Sequence, residues 1–350
     1  MITLKQVAAL ANVSQATASL VLNGRAEELK ISSASSARVR EAAEALGYHG
    51  NYHARTLSTG RTHTLGLVCS GVDGNMLSHR FFGPYVAGVS EAARAQGYNL
   101  LLINPDSFFE SYAHAVSFIG TRRVDALIVI GPLSQRPSAP RPLKRPIVYL
   151  NAPPAEDALT VNVDPAPGIE QAVAHLEASG HRDILWIGST REGVIMYPER
   201  AAAFRRACAE AGITAREWSV QVDTSYSPHV EENIARYRQA LADGLCLAPS
   251  TTAIMCLNDT MGLALYAVLA DRGLHVPDDL SIIGFDDLHA AYAIPAMTTI
   301  SHMLREMGAT AVTVVLERLQ QPDEAPFARD IRVPARLVVR QSTRVIPWEC

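Results

Sequence analysis

The stretch Thr3 to Gly24, TLKQVAALANVSQATASLVLNG, constrains this chain most, because its spacing fits two short helices joined by a tight turn. Thr3 with Gln6 three positions on is a capping-box pair: the hydroxyl can take one free helix N–H while the Gln amide reaches back. Leu4, Val7, Ala8 and Ala11 recur at helical spacing, and Ala8 and Ala9 leave room for a second helix to cross closely. Asn12 and Val13 make the turn. Ser14 caps a second helix with Val13, Ala18, Val21 and Leu22 inward, which leaves Gln15, Ala16, Ser19 and Leu20 outward. Two crossed helices with one polar face fit a helix-turn-helix, whose second helix enters the DNA major groove. Spacing alone fits an ordinary helical hairpin equally well.

Arg25 to Lys30 has no periodicity and reads as a surface loop. Ile31, Val39, Ala42, Ala43 and Leu46 then mark a third amphipathic helix, ended by Gly47, which closes an all-α head over residues 1–50. Ser32, Ser33, Ser35 and Ser36 crowd its start, where they can cap the helix or bond phosphate oxygens. Residues 1–61 hold seven basic and four acidic side chains, a net +3, which leaves −7 on the remainder of a chain whose total is −4. A basic head on an acidic body is the pattern expected if only the head meets phosphate.

The segment NYHARTLSTGR, 51–61, is short and polar and reads as a linker, since so short a helix is marginal in water on its own. From Thr64 the grammar changes to apolar runs alternating with amphipathic helices. Leu65–Cys69, Asn99–Ile103, Ala126–Ile130 and Ile147–Leu150 are expected strands, followed by Asp183–Ile187, Thr252–Leu257 and Leu280–Gly284. This is α/β order, and two such series imply two parallel-sheet subdomains with a cleft between them. The length of 350 residues accommodates two or three units. Arg136–Pro146 is proline-rich and reads as a surface loop.

Several function classes are disfavoured. No apolar run approaches a membrane span, and Lys5 and Gln6 interrupt any apolar core at the N-terminus, so a cytoplasmic location is expected. There is no GxGxxG after the first strand and no GxxxxGK[ST] loop, and GSTREG at 188–193 lacks the needed spacing, so an enzyme is not expected and no cofactor is implied. Asp286 and Asp287 lack further ligands at metal spacing. Cys69, Cys208, Cys246, Cys256 and Cys350 form no CxxC pair and are expected to be buried free thiols. In an open α/β sheet ligands bind beyond the carboxyl ends of the strands, which selects Asn151, Asn258 and Asp286. Amides and a carboxylate suit the paired hydroxyls of a sugar; an N-cap or turn role is the alternative for each.

The stretch TLKQVAALANVSQATASLVLNG closely resembles the N-terminal headpiece of the bacterial lactose/galactose repressor (LacI/GalR) family. The resemblance continues through GHRDILWIG at 180–188, LNDTMGLALYAVLADRGLHVPDDLSIIGFDDL at 257–288, PAMTTI at 295–300, LREMG at 304–308 and LVVRQST at 337–343. It implies a periplasmic-binding-protein-like core over residues 62–345, with an N-subdomain of 62–162 and 293–328, a C-subdomain of 163–292 and 329–345, and crossovers near 162, 292 and 328. It implies that Gln15, Ala16 and Leu20 read bases and that Thr17, Ser19 and Asn23 contact phosphate, with Thr3, Ser14, Ser32, Tyr52 and Ala54 completing the DNA-facing set. Segment 51–61 corresponds to the hinge helix, with Leu57 placed as a minor-groove wedge. Two positions depart from the family: Gly50 stands where a proline is usual, and Leu20 where relatives often carry a polar or basic residue. Carried over residue by residue, Asn151, Arg200, Asn258 and Asp286 are effector ligands, Phe81, Phe82 and Tyr85 line the opposite lip, and Tyr226 adds an aromatic wall. Arg200 reads as a lone charge on a face of small residues, Ala201, Ala202 and Ala203.

The implied function is a homodimeric regulator that binds a pseudo-palindromic double-stranded DNA operator under control of a small-molecule effector. A sugar or sugar derivative is expected, although purine-binding relatives share the fold. A sugar-binding protein of the same fold without transcriptional work is the alternative, and the head counts against it. Gln341–Cys350 has no heptad pattern, so a dimer without a tetramerising helix is expected.

Overall fold

The computed structural model describes residues 2–24, 26–27, 29–48, 60–69, 80–103, 116–130, 145–155, 158–189, 196–222, 229–321 and 329–347. The chain divides into two compact units, Met1–His63 and Thr64–Cys350.

The first unit holds α1 (Leu4–Leu10), α2 (Gln15–Leu22) and α3 (Ser33–Ala45). Its core is Val7, Ala8, Ala11, Ala18, Val21, Val39, Ala42 and Ala43, with Leu4, Val13, Leu22, Ile31 and Leu46 packed on it. Ala9 is exposed, so Ala8 alone provides the close approach expected of the pair. Gln6 Oε1 accepts from the Thr3 N–H at 2.8 Å and the Thr3 hydroxyl at 3.0 Å. Asn12 takes a positive φ of 50° just past α1, and the Val13 N–H returns to Ala8 O at 3.0 Å. Gly47 does the same for α3, with φ 62° and Tyr48 N–H bonded to Ala43 O. Both ends are Schellman closures, and an Asn whose side chain tolerates the left-handed region makes the tight turn possible.

The second unit contains two six-stranded sheets. In the first, β1 (Thr64–Cys69), β2 (Asn99–Ile103), β3 (Ala126–Ile130), β4 (Ile147–Leu150), β5 (Leu159–Asp164) and β11 (Arg329–Pro334) run in the order β11-β5-β4-β3-β1-β2, all parallel. In the second, β6 (Asp183–Ser189), β7 (Thr214–Val220), β8 (Ala253–Cys256), β9 (Ser281–Asp286), β10 (Thr298–Ser301) and β12 (Arg336–Val338) run β12-β10-β9-β8-β6-β7, with only β12 antiparallel. Helices α4 (Phe82–Ala95) and α9 (Leu304–Gln320) cover the first sheet; α5 (Ala166–Ala178), α6 (Met196–Glu210), α7 (Val230–Gly244) and α8 (Asp259–Asp271) cover the second. Among the described residues no helix is long and apolar enough to cross a membrane.

The subdomain boundaries differ from those expected near 292 and 328. Thr298–Ser301 pairs with Ile283–Asp286, so the chain stays in the second sheet until Ser301. Arg329–Pro334 pairs with Leu159–Asp164 and belongs to the first sheet, not the second. The three crossovers therefore lie at Pro165, at His302–Met303 and at Ala335. The strands missed in the sequence are those without a continuous apolar run: β5, where Thr160 and Asn162 alternate with valines; β7, whose first residues Thr214–Glu217 are exposed; the short β10 and β12; and the charged β11. Cys208 and Cys256 are buried free thiols as expected, but Cys246 is exposed at the end of α7; the Cys69 side chain and Cys350 lie outside the described residues.

Candidate functional site

In the head, Ser14 Oγ accepts from Thr17 N–H at 3.0 Å and sits 2.8 Å from the Thr17 hydroxyl, which starts α2. Ser32 caps α3 through Ser35 N–H at 3.2 Å. Asn23 Nδ2 donates to Ser19 Oγ at 3.3 Å. These expected DNA contacts thus carry local hydrogen bonds that shape the helix ends. Gln15 and Ala16 are exposed on the first turn of α2, and Leu20 is half-buried without joining the head's core. Arg38 of α3, which the sequence reading passed over, donates from Nε to Ala11 O at 3.2 Å and so braces the turn between α1 and α2. Tyr52, Ala54 and Leu57 lie outside the described residues, as does Gly50.

In the second unit, four expected or candidate residues sit at carboxyl ends of strands. Asn151 follows β4, Asn258 follows β8, Asp286 ends β9 and His302 follows β10. Asn151 and Asp286 take positive φ values of 55° and 104°, and Asp287 and Met303 do so beside them at 60° and 57°. Such conformations in non-glycine residues concentrate at functional sites.

Arg200 projects from the first turns of α6 and is only 2% exposed. It is not the lone charge its sequence neighbours suggest. Its guanidinium lies over the Phe285 ring at 3.6 Å, donates from Nη1 to Leu257 O at 2.6 Å, and places Nη2 3.2 Å from Asp286 Oδ1 and 3.3 Å from His302 Nδ1. His302 Nδ1 is also 3.2 Å from Asp286 Oδ1. Arginine can only donate, so the imidazole either accepts from Arg200 or donates to Asp286, not both. Burial, opposed by the Asp286 carboxylate, holds His302 below its ordinary pKa, so the ring is neutral at pH 7. Arg200 Nε and His302 Nε2 are buried without a hydrogen-bond partner. Unsatisfied buried polar atoms are costly and call for an explanation.

From the first subdomain, Phe81 meets His302 edge-on, with ring centroids 5.6 Å apart, and packs against Phe82 at 5.8 Å. Tyr85, expected on the lip, instead lies beneath Phe81, wholly buried with its hydroxyl on Met307 Sδ at 3.7 Å. Burial pushes its phenol pKa well above the ordinary value. Asn258 is the N-cap of α8: its Oδ1 accepts from Met261 N–H at 2.8 Å. The N-cap alternative thus holds for the oxygen, while the amide nitrogen has no partner among the described residues. Asp287 pairs with Arg340 at 2.7 Å. Tyr226 lies outside the described residues.

His302 was missed because its strand, TTIS, offers too short an apolar run to be read as one; the strand-end rule would otherwise have selected it. Asp259 was passed over too. It receives N–H groups from Leu288, His289 and Ala290 on Oδ2 and the Thr299 hydroxyl on Oδ1, and so pins the loop that follows Asp286. Burial and the Asp286 charge push its pKa up to about 7. Among the described residues no group of three or more His, Cys, Asp or Glu could hold a metal ion.

Comparison with known proteins agrees with this two-part architecture. Residues 3–51 match the family described as bacterial regulatory proteins, lacI family, and residues 173–343 match a periplasmic binding protein-like domain. The HTH-type transcriptional repressor PurR of Aliivibrio fischeri (strain MJ11) is 31% identical over 92% of this chain and 93% of its own length. The HTH-type transcriptional regulator CelR of Thermobifida fusca is 30% identical over 97% of this chain and 98% of its own. A solved transcriptional regulator CelR–cellobiose complex superposes with a TM-score of 0.61 at 27% identity, covering 98% of this chain and 100% of that one. A lac repressor dimer bound to operator, at 23% identity and a TM-score of 0.71 over 98% and 99% of the two chains, shares the fold. These relatives are transcription regulators rather than enzymes. With helix-turn-helix head, two-sheet core and near full-length similarity in agreement, the chain belongs to the lacI family of bacterial regulatory proteins.

Proposed function

We propose that this regulator is a homodimeric repressor whose head binds a pseudo-palindromic operator and whose operator affinity is set by a carbohydrate held between the two subdomains. The observation that carries the effector half is the Arg200–Asp286–His302 cluster at the strand ends, with two buried nitrogens lacking partners and the Phe81 ring opposite. A nitrogen donor or acceptor, a carboxylate oxygen and an aromatic edge suit a polyol, whose hydroxyls both donate and accept. The cellobiose bound by CelR is of this class and is the first probe to try. Effector engaging groups from both subdomains shifts the population of cleft arrangements by its differential affinity for them. Two-fold symmetry of the protein would be mirrored in the operator.

Thermal unfolding with cellobiose and a panel of neutral mono- and disaccharides tests the effector assignment. A bound sugar at a hundredfold excess over Kd stabilises by about 2.7 kcal/mol, and His302→Leu is expected to reduce that shift. No shift from any sugar would refute the carbohydrate assignment.

A further inference from the structure

Glu199, one residue before Arg200, forms an ion pair across the subdomain boundary. It lies on α6, which covers the second sheet, and its carboxylate takes two hydrogen bonds from Arg332 of β11 in the first: Nη1 to Oε2 at 2.9 Å and Nη2 to Oε1 at 3.4 Å. Arg332 is itself held from behind. Its Nε donates to Asp330, and its Nη1 also approaches Val163 O at 3.3 Å, two residues before the first crossover. Asp330 Oδ1 in turn accepts from the Thr160 hydroxyl and from Asn162 Nδ2, both at 2.7 Å. Asn162 then bonds both the N–H and the C=O of Ala152, each at 2.9 Å. Ala152 follows Asn151. A continuous run of polar contacts therefore joins Asn151 on one side of the cleft to the helix turn carrying Arg200 on the other.

We infer that Glu199 and Arg332 are positioning residues for the cleft: their bidentate pair fastens the first turn of α6, and with it Arg200, to the crossover side of the first sheet. The assignment of Arg200 to the effector site rests on the function proposed above; the fastening itself does not. With the two side chains 35% and 33% exposed, an isolated pair would contribute little. Fork geometry and a guanidinium already fixed by Asp330 and Val163 change that balance, because little side-chain entropy remains to be lost when the carboxylate docks. Opening or twisting the subdomains about the crossovers breaks this pair before it disturbs either sheet, so the pair weights the population of the arrangement in which Arg200, Asp286 and His302 meet Phe81.

Hydrogen exchange of the full-length protein, without effector or DNA, tests this. The reporters are crossover amides: Ala335 N–H, bonded to Asp164 O at 2.9 Å, and Ala166 N–H, bonded to Asp164 Oδ1 at 3.1 Å. Glu199→Gln and Arg332→Gln should each speed their exchange about two- to fivefold, the range such pairs support, while amides inside β3 and β8 keep their protection. Arg332→Lys, which keeps the charge but not the fork, should fall between, and the Glu199→Gln/Arg332→Gln double variant should exchange no faster than either single one. Unchanged exchange at Ala335 and Ala166, additive effects in the double variant, or equal acceleration within β3 and β8 would each overturn the inference. Because no ligand is present, a failed search for an effector leaves this result standing, and the reverse holds too.

Discussion

On the head, what each side chain can offer a base edge decides its contribution. Gln15 is exposed on the first turn of α2 and has both a donor and an acceptor to present; Ala16 and Leu20 have neither. A glutamine can bond adenine bidentately, whereas a leucine can only pack, for instance on a thymine methyl. Gln15→Ala is therefore expected to relax preference at one position of the site by about 1–3 kcal/mol, read as altered enrichment in a binding-selection assay; an unchanged preference would assign base reading elsewhere. In the second unit, His181 is buried, with Nδ1 2.8 Å from the Thr252 hydroxyl and Nε2 3.2 Å from Arg344 O. Burial lowers its pKa to about 4. The unfolded chain takes up this proton near 6.5 and the folded chain only near 4, so the neutral ring's contribution is present above pH 6.5 and is lost as pH falls toward 4. His181→Gln should flatten the part of the Tm-versus-pH curve between those values. Residue positions were partly legible: the strand-end rule alone places Asn151, Asn258 and Asp286 at the ends of β4, β8 and β9. The Arg200 network was not, because its partners Leu257, Asp286 and His302 are separated from it by 57 to 102 residues and meet only when the second sheet is assembled.

Among the elements, close approach is the controlling quantity. A Cβ on Gly88 of α4 would fall 1.9 Å from Arg305 O, and one on Gly308 of α9 would fall 2.6 Å from Tyr85 O. Each helix thus has a glycine where the other's backbone passes, and the Arg305–Glu91 ion pair closes the same contact at the surface. Gly88→Ala should destabilise the protein by about 1–3 kcal/mol, the range for overpacking, measured by denaturant unfolding; a neutral result would mean that α4 and α9 can separate freely. The loop after β9 depends on Asp259 in a comparable way. Asp259→Ala leaves the N–H groups of Leu288, His289 and Ala290 without their acceptor, a loss of about 1–3 kcal/mol for each buried group left unpaired, and should loosen Asp286 next to them. Gly284 makes room for this arrangement, since a Cβ there would lie 2.6 Å from Asp259 Oδ1. The three head helices and the strands built on continuous apolar runs were readable from periodicity and pattern. β5, β7, β10, β11 and β12 were not, because exposed, polar-interrupted or three- and four-residue strands carry too little pattern; the crossovers that the family resemblance put near 292 and 328 are moved by the pairing of β10 with β9 and of β11 with β5.

For the whole molecule, a modestly basic head stands against an acidic body whose two subdomains are joined by three crossovers. The reading of the chain as a two-sheet α/β core behind a helix-turn-helix head was legible from the change of periodicity at Thr64; the wiring between the sheets was not, because it depends on pairing over more than 150 residues, as in β5 with β11. Sedimentation at micromolar concentration is expected to show a dimer, and a stable tetramer or monomer would contradict that assembly. Operator recognition is tested by selection of genomic DNA fragments with the purified protein, followed by sequencing and a search for a shared site. Enrichment of one pseudo-palindrome, weakened by Gln15→Ala, is expected. A folded protein that enriches no sequence, alone or with the sugars that stabilise it, would contradict operator recognition.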